Sequence, residues 1–281
     1  MTLRQALTLA TQTLATSEHL RPNAHRDAEL LLLHTLQIPR TTLLAYPTRE
    51  LSPTEQSLFE SHIARRQKNE PIQYITGQQE FYGLPFKVTP AVLIPRPETE
   101  HLVESVLHHL PHNQPLRIAD IGTGSGAIAI ALAVHLPQAQ ITALDLSSDA
   151  LAIARANAET NNVANRITFL QSDLLSAITN EAHFDAIVSN PPYIPQTDEP
   201  TLHPEVRDHE PHTALFAGPE GLDIYSRLIP QAYTLLKPNG LLAFEIGHGQ
   251  REALSTLLTN WHDVNFVDDL QHIPRVALAT R

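Results

Sequence analysis

"ADIGTGSGAIAIAL", Ala119 to Leu132, is the stretch that decides the fold. An apolar strand-like run meets Gly122, Gly124 and Gly126, and a helix-forming run of Ala and Ile follows at once. Glycines at such a point let the backbone turn tightly, and they let a ligand approach main-chain amides at a helix N-terminus. Roughly twenty residues further on the next strand-like run, "ITALDL", ends in Asp145, placed to accept hydrogen bonds from ribose hydroxyls. Strand, glycine turn, helix and distal acid in register predict a nucleotide-type cofactor.

Outward from this unit the texture repeats. "RIADIG", "ITALDL", "ITFLQSD", "FDAIVSN" and "LLAFEIG" read as strands, separated by helical segments such as "SDALAIARANAETNN". Strand–helix alternation predicts an α/β fold with a mainly parallel sheet wrapped on both faces. A last pair, around "VNFVDD" and "RVALAT", is expected to add an antiparallel edge.

The residues also discriminate between cofactors. The glycine pattern satisfies a dinucleotide fingerprint if Ala127 counts as the last small residue. Asp120, two residues before the first glycine, is expected to lie near the bound ligand. There it would repel a pyrophosphate but tolerate a cationic sulfonium and amino group. A third strand ends in "QSDLL", where Asp173 is placed to accept from an adenine amino group and Leu174 to pack on the ring. Asp173 serves equally well as an N-cap for the next helix. S-adenosylmethionine fits the three acids better than NAD does.

The fourth strand ends in a stiff corner, "SNPPYIP". Ligands of open α/β sheets bind beyond the carboxyl ends of the strands, so Asn190 faces the same crevice as Gly122 and Asp145. Methyl transfer from a sulfonium to nitrogen needs in-line approach more than acid or base. Two acceptors, the Asn190 side-chain carbonyl and the Pro191 backbone carbonyl, are expected to hold both hydrogens of a planar –NH2. Pro191 has no competing N–H, and Pro192 keeps it extended. Tyr193 is expected to stack on a flat amide and offer π density near the sulfonium.

Residues 1–78 read as a helical domain. "MTLRQALTLATQTLATSEHL" is an amphipathic helix, not a signal peptide. "RDAELLLLHTL" is a buried helix, and "SPTEQSLFESHIARRQ" opens with Ser52 at N-cap, Pro53 at N1 and Glu55 at N3. Leu58, Phe59 and Ile63 then form an apolar stripe at helical spacing. Residues 79–97 are a connector, with a hairpin in "EFYGLPFKV" and prolines at 90, 95 and 97. Residues 98–281 form the α/β domain.

Composition bounds the partners. The 281 residues are 42% hydrophobic, enough for a sizeable core. The absence of cysteine excludes disulfides, Cys-ligated zinc and thiol nucleophiles. No stretch is long and apolar enough to span a bilayer, and a soluble, cytoplasmic chain is expected. The net charge is −11, with 19 Lys and Arg against 30 acids, so direct nucleic-acid binding is not expected. No metal is expected either. The histidines of "HPEVRDHEPH", His203 to His212, fit no ligand spacing and predict a solvated loop. A second reading has that loop closing over the substrate, with Arg207 and Glu210 contacting substrate or each other.

Asn190-Pro191-Pro192-Tyr193 behind the Asp120–Gly126 turn resembles the class I S-adenosylmethionine-dependent amino-methyltransferases. "RRQKNEPIQYITGQQEFYGLPFKVTPAVLIPRPETE", "EVRDHEPHTALFAGPEGLDIYSRLI" and "LLAFEIGHGQ" resemble the peptide chain release factor N5-glutamine methyltransferase family, and the likeness runs essentially end to end. The resemblance implies a Rossmann-like methyltransferase domain. It implies, as substrate, the glutamine of the Gly-Gly-Gln motif of class I release factors. It implies cofactor contacts at Gly122, Thr123, Gly124, Ser125, Gly126, Asp145, Leu174 and Asn190, and a glutamine site at Asn190 to Tyr193. Members often carry an aromatic residue where this chain has Leu174. The helical domain would help grip the release factor. Two alternatives are a methylase of ribosomal protein L3 glutamine, which tends to have serine where Pro97 stands, and a methylase of an exocyclic base amine. The latter would need a recognition surface for an extruded base.

Overall fold

The computed structural model describes residues 1–179 and 183–281. The chain forms two compact units, Met1–Gly77 with Thr201–His209, and Gln78–Pro200 with Glu210–Arg281.

The first unit is helical: α1 (Leu3–Leu14), α2 (Ala24–Leu36), α3 (Arg40–Ala45), α4 (Pro53–Gln67) and α5 (Ile72–Thr76). The capping box of α4 is as its sequence predicts. Ser52 Oγ accepts from Glu55 N at 3.2 Å, and the Ser52 amide donates to Glu55 Oε2 at 2.8 Å. Leu3, Leu14, Leu31, Leu32, Phe59 and Ile63 build the core, whereas Leu58, expected in the same stripe, is 46% exposed. It stands one residue before Phe59, a step that turns it off the buried face.

Inside this core lies a guanidinium. Arg66, 4% exposed, donates to Asp27 Oδ2 at 2.8 Å and to the Glu70 carbonyl at 3.0 Å, and it pairs with Glu205. A buried cation needs such partners, since an uncompensated charge is expensive away from water. Glu205 comes from residues 201–209, which group with the helical unit although expected in the 98–281 domain, and it lies in the stretch His203 to His212 expected as a solvated loop. Part of that segment is instead a short helix, α9 (Pro204–His209). Its His209 Nε2 stands 2.9 Å from the Lys68 carbonyl.

The second unit opens with the hairpin β1 (Gln78–Phe81) and β2 (Leu84–Lys87). Tyr82 and Gly83 make its two-residue turn with φ of 52° and 72°, the doubly positive pattern that suits the strand twist. The Pro-rich connector and α6 (Glu100–His109) lead into the sheet. Its elements are β3 (Arg117–Ile121), α7 (Ala127–His135), β4 (Gln140–Asp145), α8 (Ser148–Thr160), β5 (Ile167–Gln171), β6 (Phe184–Ser189), α10 (Asp223–Leu235), β7 (Leu236–Glu245), α11 (Arg251–Leu257), β8 (His262–Asp268) and β9 (Pro274–Thr280).

The strand order is β5-β4-β3-β6-β7-β9-β8, parallel except that β9 runs antiparallel to β7 and β8. Alternate strand residues feed two cores. Ile118, Ile141 and Val188 pack with α6, α7 and α8, while Ile121, Ile187 and Phe244 pack with α10 and α11. The chain winds outward one way from β3 and the other way from β6. Between these two strands is the switch point, where open sheets bind ligands. Ile121 pairs with Ser189, so Gly122 and Asn190 leave the sheet side by side.

Candidate functional site

A cleft of about 430 Å³ opens beyond the carboxyl ends of β3, β4 and β6. Its floor is the glycine turn. Gly122 and Gly124 take φ of 68° and 55°, conformations that cost a side-chain-bearing residue energy, and Gly122, Thr123, Gly124 and Ser125 all line the cleft. The Thr123 amide donates to the Leu144 carbonyl at 2.9 Å, which pins the turn to the end of β4. Asp145 completes the tie: Oδ2 accepts from Gly124 N at 2.8 Å and Oδ1 from Ser147 N at 2.9 Å. Its carboxylate lines the cleft, with its pKa pushed up by burial. A β-carbon at Gly122 would meet nothing within 4 Å, so the turn offers open backbone to a ligand.

Three expected contacts fall elsewhere. Gly126 does not line the cleft; its φ is 83°, and a β-carbon there would stand 3.0 Å from Ile130 Cδ1 and 3.2 Å from Ala154 Cβ. It serves helix packing. Asp120, expected near the ligand, is fully buried beneath the turn and lines nothing. Its Oδ2 accepts from Thr123 Oγ1 at 2.7 Å and from Ala129 N at 3.2 Å, so it braces the turn against α7. Burial pushes its pKa up to about 7, against those two hydrogen bonds.

Tyr193 is the third departure. Instead of facing the cleft it packs against the core formed with α10 and α11, and its hydroxyl donates to Glu245 Oε1 at 3.2 Å. The space beside it is shaped by Gly247, whose added β-carbon would lie 3.0 Å from the ring. Desolvation, reinforced by Glu245, pushes its pKa well above the usual tyrosine value.

Asp173 and Leu174 do line the cleft. Asp173 pairs with Arg227 at 2.6 Å, and Ser172, not Asp173, caps the following turn by accepting from Ala177 N at 3.1 Å. Leu174 sits at φ 52°, which turns its side chain against the core formed with α10.

The corner after β6 places Asn190, Pro191 and Pro192 on the cleft wall. Asn190 Nδ2 donates to Thr99 Oγ1 at 3.0 Å, and Thr99 Oγ1 donates to Glu245 Oε2 at 2.6 Å. Ser189 Oγ bonds the Ile121 carbonyl at 2.8 Å beneath the corner. Gln250 locks the far side: Nε2 donates to the carbonyls of Tyr193 and Gly221 at 3.0 and 3.2 Å, and Oε1 accepts from Gly247 N at 2.9 Å. Among the described residues no hydrogen bond occupies Asn190 Oδ1 or the Pro191 carbonyl. The arrangement presents two acceptors to a flat donor group.

Several of these residues carry no local signal. Arg96, Leu93 and Val92 make the connector, with Thr99 just past its end, a wall of the cleft, though it reads as a spacer. Asn157 in α8 bonds the Ser125 and Lys87 carbonyls at 2.8 and 3.0 Å, so the turn and hairpin share one clamp. Of the two charges expected to close over substrate, Glu210 accepts from Arg96 at 2.6 Å and Arg207 Nε donates to Asp208 Oδ1 at 2.7 Å.

Two family models match the chain. The Methyltransferase small domain covers residues 101–204, and the PrmC N-terminal domain covers residues 5–77. A release factor glutamine methyltransferase of Koribacter versatilis is 45% identical over 281 residues, covering 100% of this chain and 99% of that protein. One of Moorella thermoacetica is 48% identical over 257 residues, covering 92% and 89%. Among solved structures, the hMettl16 catalytic domain in complex with MAT2A 3′UTR hairpin 1 superposes with a TM-score of 0.59 at 18% identity, covering 90% of each chain. At that identity the likeness is one of fold.

Proposed function

The chain belongs to the release factor glutamine methyltransferase family, and from that membership we propose how its residues move a methyl group onto a glutamine. The enzyme is an S-adenosylmethionine-dependent protein methyltransferase acting on release factor glutamine. The finer reading is that the target is the side-chain nitrogen, N5, of the glutamine in the Gly-Gly-Gln motif of class I release factors. The single observation that carries the site assignment is the pair of unoccupied acceptors, Asn190 Oδ1 and the Pro191 carbonyl, beside the glycine turn.

The cleft suits the cofactor. Exposed backbone at Gly122 and Gly124 admits its methionine portion, Asp145 retains lone pairs for ribose hydroxyls, and Leu174 offers an apolar face to adenine. S-adenosylmethionine supplies an electrophilic methyl on sulfur.

The protein's own contribution is positioning. A glutamine amide nitrogen is a poor nucleophile because its lone pair is delocalised into the carbonyl. Asn190 Oδ1 and the Pro191 carbonyl accept its two hydrogens, fix its plane and raise its electron density. Pro191 and Pro192 hold this geometry with little freedom to relax. As the N–C bond forms, the bond between the methyl and the sulfonium sulfur breaks and sulfur keeps its electron pair; the surplus proton on nitrogen passes to solvent, so no strong base is required. Tyr193 supports the corner through Glu245 instead of touching the amide.

Residues 1–78 serve as the unit that recognises the release factor, 79–97 connect, and 98–281 carry the chemistry, with 201–209 lent to the helical unit. No helix among the described residues is long and apolar enough to cross a membrane. The cytoplasm, where release factors act, is the site of action we propose. Incubation with labelled S-adenosylmethionine and a release factor, DNA, rRNA or L3 tests the reading. Label in the release factor supports it; label in nucleic acid alone overturns it.

A further inference from the structure

We propose that Thr99 and Glu245 decide which end of the Asn190 amide faces the cleft, and so act as positioning residues for the transfer. The proposal rests on the reading that Asn190 accepts a hydrogen from the substrate amide.

An asparagine amide has two ends of nearly equal size, an oxygen that accepts and an –NH2 that donates. Turned the wrong way, Asn190 would present hydrogens to the substrate's own –NH2 and repel it. Something must choose between the two orientations. Thr99 has one hydroxyl hydrogen, and it stands 2.6 Å from Glu245 Oε2. An ionised carboxylate has no hydrogen to give, so the hydroxyl must donate to it. The Thr99 oxygen is then left as an acceptor. Asn190 meets it with Nδ2, at 3.0 Å, and its Oδ1 is left for substrate.

The direction is thus set by a charge three groups away. Glu245 is 2% exposed and Thr99 4%, so the choice is made out of reach of water, where such bonds are strong and polarise one another. The second carboxylate oxygen also accepts, from Tyr193 at 3.2 Å. Two acceptor roles on one carboxyl group are what an ionised side chain satisfies. The groups around it come from several other elements. Burial works most strongly against the charge and Glu98, just past the connector, adds to that; the hydrogen bonds from Thr99 and Tyr193 and the guanidinium of Arg275 in β9 favour it, and Tyr225 of α10 donates to the Glu245 main-chain carbonyl at 2.8 Å. Burying a carboxylate is costly, and in this fold its yield is a fixed amide.

The test compares full-length Thr99→Val, Thr99→Ser, Asn190→Ala and Thr99→Val/Asn190→Ala with a release factor and S-adenosylmethionine. Thr99→Val keeps the shape but loses the hydroxyl, and kcat should fall about 10- to 100-fold, the scale of a misaimed reacting group. Thr99→Ser restores the hydroxyl and should run close to the wild-type rate. The cofactor Kd should stay unchanged in the Thr99 single variants. In the Asn190→Ala background Thr99→Val should cost nothing more, because its effect travels through Asn190. Thr99→Ala, which adds no bulk, is measured beside Thr99→Val to guard against misfolding. A wild-type rate in both Thr99→Val and Thr99→Ala overturns the proposal, as does a loss that multiplies with that of Asn190→Ala. Full activity in Asn190→Ala alone removes the underlying reading of the site, and the proposal with it.

Discussion

Asp145 Oδ2 accepts the amide hydrogen of Gly124 at 2.8 Å, so the acid at the end of β4 and the middle of the glycine turn form one object. Replacing Asp145 therefore removes a proposed ribose partner and also frees the turn. Asp145→Ala should weaken S-adenosylmethionine binding by about 10- to 100-fold, equivalent to roughly 1.4–2.8 kcal/mol. Calorimetric titration reads it, and an unchanged Kd would remove Asp145 from the site.

The glycines of the turn should separate into two kinds. Gly126→Ala forces a β-carbon to 3.0 Å from Ile130 and to a φ of 83°, and should cost about 1–3 kcal/mol in denaturant unfolding. Gly124→Ala meets only the Gly122 carbonyl, at 3.9 Å, and should lose cofactor affinity more than Gly126→Ala does. Equal effects on stability and binding in both variants would contradict the division.

Asp120 predicts a pH dependence of stability. Its pKa is raised from 3.8 to about 7 by burial, so between those values the folded chain holds a proton that the unfolded chain has lost. Stability contributed by that proton is fully present below 3.8 and is lost as pH rises through about 7. Asp120→Asn should abolish this component. The difference in unfolding free energy between variant and parent should change by roughly 1.4 kcal/mol per pH unit across the window and level off above it. A pH-independent difference would show that Asp120 is ionised throughout.

Much of this was legible because it is local. The glycine turn, Asp145, the Asn190–Pro192 corner and the Ser52–Glu55 capping box each declare themselves within a few residues of chain. What was not legible depends on long-range pairing. Thr99 meets Glu245 across 146 residues, and within "LLAFEIG" a buried acid reads as the end of a strand. Asn157 reaches Lys87 across 70 residues from the middle of an ordinary helix. Asp120 and Tyr193 carry suitable chemistry for a ligand, but sequence does not say which way a side chain turns. Asp120 points to the inner core because strand residues alternate, and Tyr193 follows its hydroxyl to Glu245. Residues 201–209 group with the helical unit although proximity in sequence suggests one domain with the chain around them, and Glu205 there pairs with the buried Arg66.

That cation gives a further prediction. Arg66→Ala leaves Asp27, 5% exposed, without its partner and should destabilise the helical unit by about 3–5 kcal/mol. Glu205→Gln should cost less but should expose residues 201–209 to limited proteolysis. Resistance of that segment in both variants would show that it is held by other contacts.

The most direct measurement is mass-spectrometric localisation of the methyl after a release factor is incubated with this enzyme and S-adenosylmethionine. The expected result is one methyl on the side-chain nitrogen of the Gly-Gly-Gln glutamine, lost when Asn190 is changed to Ala. A methyl on any other residue, or none on the release factor, would contradict the proposed function.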